Sequence, residues 1–218
     1  MMFTIEIQLF GGRGTKAKVG KMVSFSNAIN VNTVNETHEI NAKKYETLED
    51  WEKAIRFNNY ETLIAFNEKG EPVKAYKGSN NSVNILDEVG MLWEGYVVTH
   101  NHPGRYGGTF SPDDILNLAK YKYKELRAVT EEGTYIIRQT KSSNFPKFNI
   151  LCTISMPKLK TTLRNEAERL RGLYEETPKE NRISIHEREK MIKEYCCMIL
   201  NKYYNKLTKE CGFDFFME

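Results

Sequence analysis

Between residues 46 and 141 the hydrophobic pattern changes period several times, and each change marks an element. In "TLEDWEKAIRF", Leu48, Trp51, Ala54 and Ile55 recur at helical spacing, and Thr47 with Asp50 three residues on is close to a capping box. A helix is predicted there. "ETLIAF" and "EPVKAYKG" are β-rich runs on either side of the turn signal "NEKG", which predicts a hairpin. "NILDEVGMLW" predicts a short helix, and the β-branched, aromatic run "GYVVTHNH" a largely buried strand. "SPDDILNLAKYKYKEL" opens a second helix, with Ser111 as N-cap, Pro112 at N1 and an acidic pair in the first turn. Ile115, Leu118, Ala119 and Leu126 supply its apolar face, flanked by Tyr121 and Tyr123, while Lys122 and Lys124 reach solvent. "RAVT" and "TYIIRQ" around "EEG" predict another hairpin. This order of elements predicts an α/β layer domain over 46–141.

The flanks read differently. Residues 11–45 are rich in Asn, Lys, Thr and Ser and sustain no period, so 1–45 is expected to be a loosely ordered arm that begins with a short alternating run. Residues 142–218 are expected to be a helical extension. A proline-containing loop leads into "KLKTTLRNEAERLRGLYEE", and "TPKEN" separates that run from "HEREKMIKEYCCMILNKYYNKLTKE". In the latter, Met191, Ile192, Tyr195, Met198, Ile199 and Tyr203 recur at helical spacing and predict a packing face.

Composition narrows the class. The chain has 218 residues, 40% of them hydrophobic, enough for one globular domain with appendages. A net charge of +3 falls short of the basic footprint of a dedicated nucleic-acid binder. Cys152, Cys196, Cys197 and Cys211 form no C-x-x-C pair, which argues against a cysteine zinc site and against a disulfide framework. Reduced, intracellular thiols follow. No apolar run approaches the ~20 residues of a membrane span. "MMFTIEIQLF" lacks a basic n-region and carries Glu6, unlike a secretory signal. The expected location is the cytoplasm.

The chemistry is concentrated in "VVTHNHPGRYGGTFSPDDILNLAK". Residues two apart on a strand share a face at ~6.6 Å separation, so His100 and His102 can aim ring nitrogens at one ion ~2.0–2.1 Å from each. Pro103 ends the strand, the glycine-rich run lets the backbone reverse, and the helix at Ser111 returns an aspartate to the same place. Two histidines and an aspartate leave the fourth tetrahedral position open, the pattern of a catalytic zinc.

The pattern H-x-H-P, seven residues, then S-x-x-D, carried by His100, His102, Pro103, Ser111 and Asp114, resembles the JAMM (JAB/MPN) metalloprotease family and its bacterial RadC-type relatives. The resemblance covers roughly 61–138. The family usually has six residues between proline and serine; the loop here is one longer. Keeping the S-x-x-D spacing selects Asp114 as the ligand, whereas counting from His102 selects Asp113; the helix start favours Asp114.

The resemblance implies a cytidine-deaminase-like three-layer α/β sandwich with a mixed sheet and one Zn²⁺ held by His100, His102 and Asp114. It implies hydrolysis of an amide or isopeptide bond by metal-activated water, with Ser111 helping to stabilise the oxyanion. A glutamate on an earlier strand would be the general acid/base. Glu61, opening "ETLIAF", is the first choice; Glu88 and Glu94 are the runners-up, and Glu68 and Glu71 belong to the turn. The expected partner is a protein or peptide, with ubiquitin-like proteins in view.

A second resemblance lies at the N-terminus. "IEIQLFGG" looks like the processing signal of a Firmicute large-subunit ribosomal protein and of phage head proteins, cut after the Leu-Phe. It implies cleavage after Phe10, a phage or prophage gene in a bacterial host, phage head components as partners, and association with the virion. Two other functions compete with hydrolysis. One is a non-catalytic head-associated or binding module retaining the fold. The other is a phage-borne nuclease or toxin, prompted by the literal His100-Asn101-His102; the nuclease motif of that name spreads over a ββα unit, so that match is verbal.

Overall fold

The computed structural model describes residues 37–80, 82–103 and 108–218; the processing-signal resemblance and the glycine-rich loop at 104–107 lie outside them. Among the described residues, β1 (His38–Ile40) leads through a 3₁₀ turn (Ala42–Lys44) to α1 (Leu48–Ile55). Then follow β2 (Thr62–Phe66), β3 (Pro72–Lys77), α2 (Asp87–Met91), β4 (Val97–Asn101), α3 (Pro112–Tyr121), β5 (Glu125–Val129) and β6 (Thr134–Gln139). The chain ends with α4 (Phe145–Glu176), α5 (Ile185–Cys211) and β7 (Phe213–Met217). Seven strands form one mixed sheet in the order β1-β3-β2-β4-β5-β6-β7. Among the described strands only β4 and β5 pair in parallel, because α3 carries the chain back between them. Helices cover both faces: α1 and the 3₁₀ turn pack with Ile64, Phe66, Ala75 and Val129, while α3, α4 and α5 pack with Leu63, Ala65, Val98 and Leu126. The protein is an α/β sandwich with a mixed sheet.

The locally signalled elements form as expected. Thr47 caps α1 by accepting from the Asp50 amide, and Ser111 and Ser184 cap α3 and α5 with reciprocal capping boxes. Several expectations are corrected. α3 stops at Tyr121, where Lys122 takes a left-handed conformation with φ 53°, so Leu126 contributes its apolar side chain from β5 instead. α4 begins at Phe145 rather than after a loop. Asn144 caps it, Pro146 sits where a first turn tolerates proline, and Pro157 is carried inside it. The buried series Phe148, Cys152, Met156, Leu159, Leu163 and Ala167 runs through Pro157, and packing along it holds the helix despite the lost hydrogen bond.

On α5 the buried face is Ile192, Leu200, Tyr204, Leu207 and Cys211, so Met191, Tyr195 and Met198 of the expected stripe are exposed. Residues 38–44, expected in the arm, add β1 to the sheet edge. β7 was not expected at all: Gly212, at φ 76°, ends α5 with its Cβ position 2.4 Å from the Ser142 carbonyl oxygen, a site only glycine fits, and turns the chain alongside β6. The C-terminal helices and β7 thus share one core with the sheet. No helix among the described residues is long and apolar enough to cross a membrane.

The α1 face carries a buried charge cluster. Ala54, expected inward on α1, is exposed, and Glu52 is buried in its stead. Its carboxylate accepts from Arg127 Nε at 2.6 Å and from Thr99 Oγ1 at 2.9 Å, while Arg127 Nη1 reaches Glu125 at 2.6 Å. Burial costs Arg127, but Glu52 and then Glu125 outweigh it and drive the guanidinium pKa upward. Arg127→Ala leaves the buried Glu52 carboxylate with only hydroxyl donors and takes from Glu125 one of its two arginines, and is expected to lower the unfolding free energy by about 3–5 kcal/mol. A reduced urea midpoint at unchanged slope would show it; an unchanged midpoint would refute it.

Candidate metal centre

β4 is buried along most of its length, and its alternation places Val98 and His100 on the face toward α3. β2 lies antiparallel beside it with Leu63 opposite His100. Carried two residues further, the same register puts Glu61 beside His102, on the same face. His100, His102 and Asp114 are 1%, 0% and 3% exposed, and Glu61 is fully buried.

α3 brings the carboxylate. Its capping box uses Asp114 as the N3 residue: Asp114 Oδ2 accepts from the Ser111 amide at 2.6 Å, and Ser111 Oγ accepts from the Asp114 amide at 3.2 Å. The same carboxylate faces both rings, Oδ1 at 3.4 Å from His100 Nε2 and Oδ2 at 3.5 Å from His102 Nε2. The two Nε2 atoms are 2.9 Å apart. The helix start therefore fixes the aspartate that converges on the histidines. Asp113, the other reading of the spacing, points to α4 and pairs with Lys160 Nζ at 2.5 Å.

The competing glutamates are elsewhere. Glu68, Glu71 and Glu88 are exposed, and Glu94 pairs with Lys122 Nζ at 3.2 Å. Glu61 alone of the five is buried with the histidines, and among the described residues neither carboxylate oxygen has a full hydrogen bond, the Val83 amide only easing its charge. Ser111 is buried at the site and its cap uses a lone pair, leaving the O–H free to donate.

Two supporting residues, Gly108 and Asn101, carried no sequence signal for the part they play here. His102 Nδ1 is 2.9 Å from the Gly108 carbonyl oxygen, which can only accept; the hydrogen is on Nδ1, and Nε2 of the neutral ring presents a lone pair. A Cβ at Gly108 would lie 2.2 Å from Cys197 Sγ on α5, so any larger residue would have to displace that thiol. Asn101, between the histidines, turns to the opposite face. Its Oδ1 accepts from the Thr62 amide at 2.7 Å and its Nδ2 donates to the Tyr60 carbonyl at 3.0 Å, clamping the backbone on either side of Glu61. Only the literal "HNH" pointed toward Asn101, and toward a different chemistry.

The electrostatics follow from burial. Desolvation pushes the Glu61 carboxyl from 4.5 up to about 8; His102 opposes the rise and Asp114 adds to it. Burial lowers the His102 pKa, but Asp114, Glu61 and the Gly108 carbonyl outweigh that and carry it to about 9. Burial would raise Asp114, yet the two facing imidazoles hold it far below the carboxylate range. Two imidazole nitrogens and a carboxylate so arranged can hold a metal ion: His100, His102 and Asp114 each offer one ligand atom, all within 4.8 Å of one another.

The proton the site keeps at neutral pH is what a metal must displace. Metal binding at pH 7 is expected to release about one proton or more per ion, with affinity rising with pH until His102's value of about 9 is passed. Titration calorimetry in buffers of different ionisation enthalpy measures this; a buffer-independent heat contradicts it. No protein-family model, curated protein or solved structure matches the chain.

Proposed function

We propose that the protein is a zinc-dependent peptidase or isopeptidase of JAMM type, built on a cytidine-deaminase-like sandwich. The observation that carries this is the buried convergence of His100, His102 and Asp114 next to the buried Glu61 carboxylate, which has no full hydrogen bond among the described residues. The donor set suits zinc, with three protein ligands of the four it takes in catalytic sites. When bound, zinc supplies Lewis acidity that acidifies water and polarises a carbonyl.

The chain's own residues supply the rest. Asp114 and the two Nε2 atoms would hold the ion, and Gly108 keeps His102 in the tautomer suited to ligate it. Glu61 takes a proton from the attacking water and passes it to the leaving amine; its raised pKa suits both transfers near neutral pH. The Ser111 hydroxyl donates to the oxygen on which negative charge develops. Asn101 keeps Glu61 in register.

The substrate class is a peptide or an isopeptide of a ubiquitin-like protein. The N-terminal resemblance supports a phage or prophage origin, work in the bacterial cytoplasm or on the virion, and head components as partners. One observation favours a second reading, a metal-holding module without turnover: every proposed site residue is at most 3% exposed. The test is turnover of a peptide and isopeptide panel by zinc-loaded protein, lost to a chelator and restored by zinc. Stoichiometric zinc with no turnover across the panel selects the module.

A further inference from the structure

A metal-ligating imidazole ordinarily gives its second ring nitrogen to an outer partner, which fixes the tautomer and the ring's orientation. His102 has the Gly108 carbonyl. His100 differs: its Nδ1 is buried and has no partner among the described residues. A cavity of about 20 Å³ is lined by His100 and not by His102. Its apolar walls include Val98, two residues before His100 on β4, with Leu63 and Leu126 from the neighbouring strands. Its polar lining is His100, Asp114, Asn117 and Tyr123. Asp114 is committed to the histidines and the Ser111 amide. Roughly 10–15 Å³ suffices for one water, and a buried water typically makes about three hydrogen bonds. Among the described residues three lining groups remain for it: the unpartnered His100 ring nitrogen, the amide of half-buried Asn117 and the Tyr123 hydroxyl. An all-apolar cavity of this size would stay dry; this one has the partners a water needs.

We propose that a single buried water binds in this cavity, accepts the Nδ1–H of His100, and is held by Asn117 and Tyr123, which makes those two side chains positioning residues for the ligand. The role of His100 here rests on the metal-site reading above. The water commits His100 to the Nδ1–H tautomer, so that Nε2 faces Asp114 and His102 as a lone pair. Asn117 follows Asp114 by about one helical turn, so α3 supplies one ligand directly and steadies another from behind. Tyr123 is brought in by the left-handed turn at Lys122 that ends α3.

The test uses the full chain, with Asn117→Leu, nearly isosteric and without an acceptor, and Tyr123→Phe, which removes one hydroxyl. In metal-free wild type, a long-lived water should give nuclear Overhauser contacts to the methyls of Leu63, Val98 and Leu126, and His100 should show Nδ1–H by ring nitrogen shifts. Asn117→Leu should lose both signals. Zinc affinity, read by chelator competition, should fall about 10–100-fold in each variant while the thermal midpoint changes little. A dry cavity in wild type overturns the proposal whether or not metal binds. Undiminished zinc affinity in both variants also overturns it. A wild type with the water signals but no stoichiometric zinc supports the water and sinks the metal reading, so the two failures are distinguishable.

Discussion

Asp114→Ala should abolish stoichiometric metal binding, with a loss of affinity larger than the 10–100-fold that outer-shell changes cost. The substitution removes one of the three donors found among the described residues and takes away the carboxylate that faces both His100 and His102. It also removes the acceptor for the Ser111 amide, a capping loss of about 0.5–2 kcal/mol. Asp113→Ala is the informative partner. It breaks the Lys160 pair, which is partly solvated and worth little, and leaves the metal in place. Metal analysis of both variants after dialysis decides the matter. Zinc retained in Asp114→Ala and lost in Asp113→Ala would reverse the ligand assignment, and zinc retained in both would remove the site.

Glu61→Gln is expected to keep the metal and to lower turnover by about 10²–10⁴-fold, the usual worth of a positioned proton carrier. The same variant has a second signature in metal-free protein. The folded Glu61 pKa is about 8, above its unfolded 4.5, so the fold favours the protonated form. Its contribution to stability is fully present below pH 4.5 and is lost as pH rises through 8. Metal-free wild type should therefore weaken across that window by more than Glu61→Gln, which keeps only the loss that His102 contributes as pH rises from 6.5 through about 9. The gap amounts to on the order of 4–5 kcal/mol above pH 8. Denaturant unfolding at pH 5 and pH 9 measures it. Parallel pH profiles for the two proteins would show that Glu61 is not a buried titrating group, and full turnover by Glu61→Gln would end its role as proton carrier.

The legible parts of this protein share one property: their signals are local. Ser111, Pro112 and the acidic pair specify where α3 begins, and a helix that begins there places Asp114 at N3. Alternation along β4 brings His100 and His102 to one face. The glutamate was open on sequence grounds, because Glu61 joins the site only through the pairing of β2 with β4, across some forty intervening positions. Gly108, Asn101 and Asn117 are invisible locally for the same reason. Each acts through a partner remote in the chain: a thiol on α5, the backbone around Glu61, a cavity behind His100.

The misread elements tell the same story about faces. Ala54 and Glu52 exchange inside and outside on α1 because Arg127, on β5, waits for the carboxylate. Met191, Tyr195 and Met198 fit a helical stripe, yet the face that α5 buries is rotated toward Ile192, Leu200 and Tyr204 by contact with α4 and the sheet. α4 runs through Pro157 because packing along its whole length outweighs one lost hydrogen bond.

From residue order alone one can place the two histidines on one side of a strand and a carboxylate at the head of the next helix, since caps, turns and alternation are short-range effects of backbone sterics and hydrogen bonding. Which acid stands beside them, which charges are sunk in the opposite layer, and that the last residues return to extend the sheet all depend on long-range pairing. Those outcomes are chosen by how much apolar surface the assembled layers exclude from water, and no stretch of chain carries that information before the layers meet.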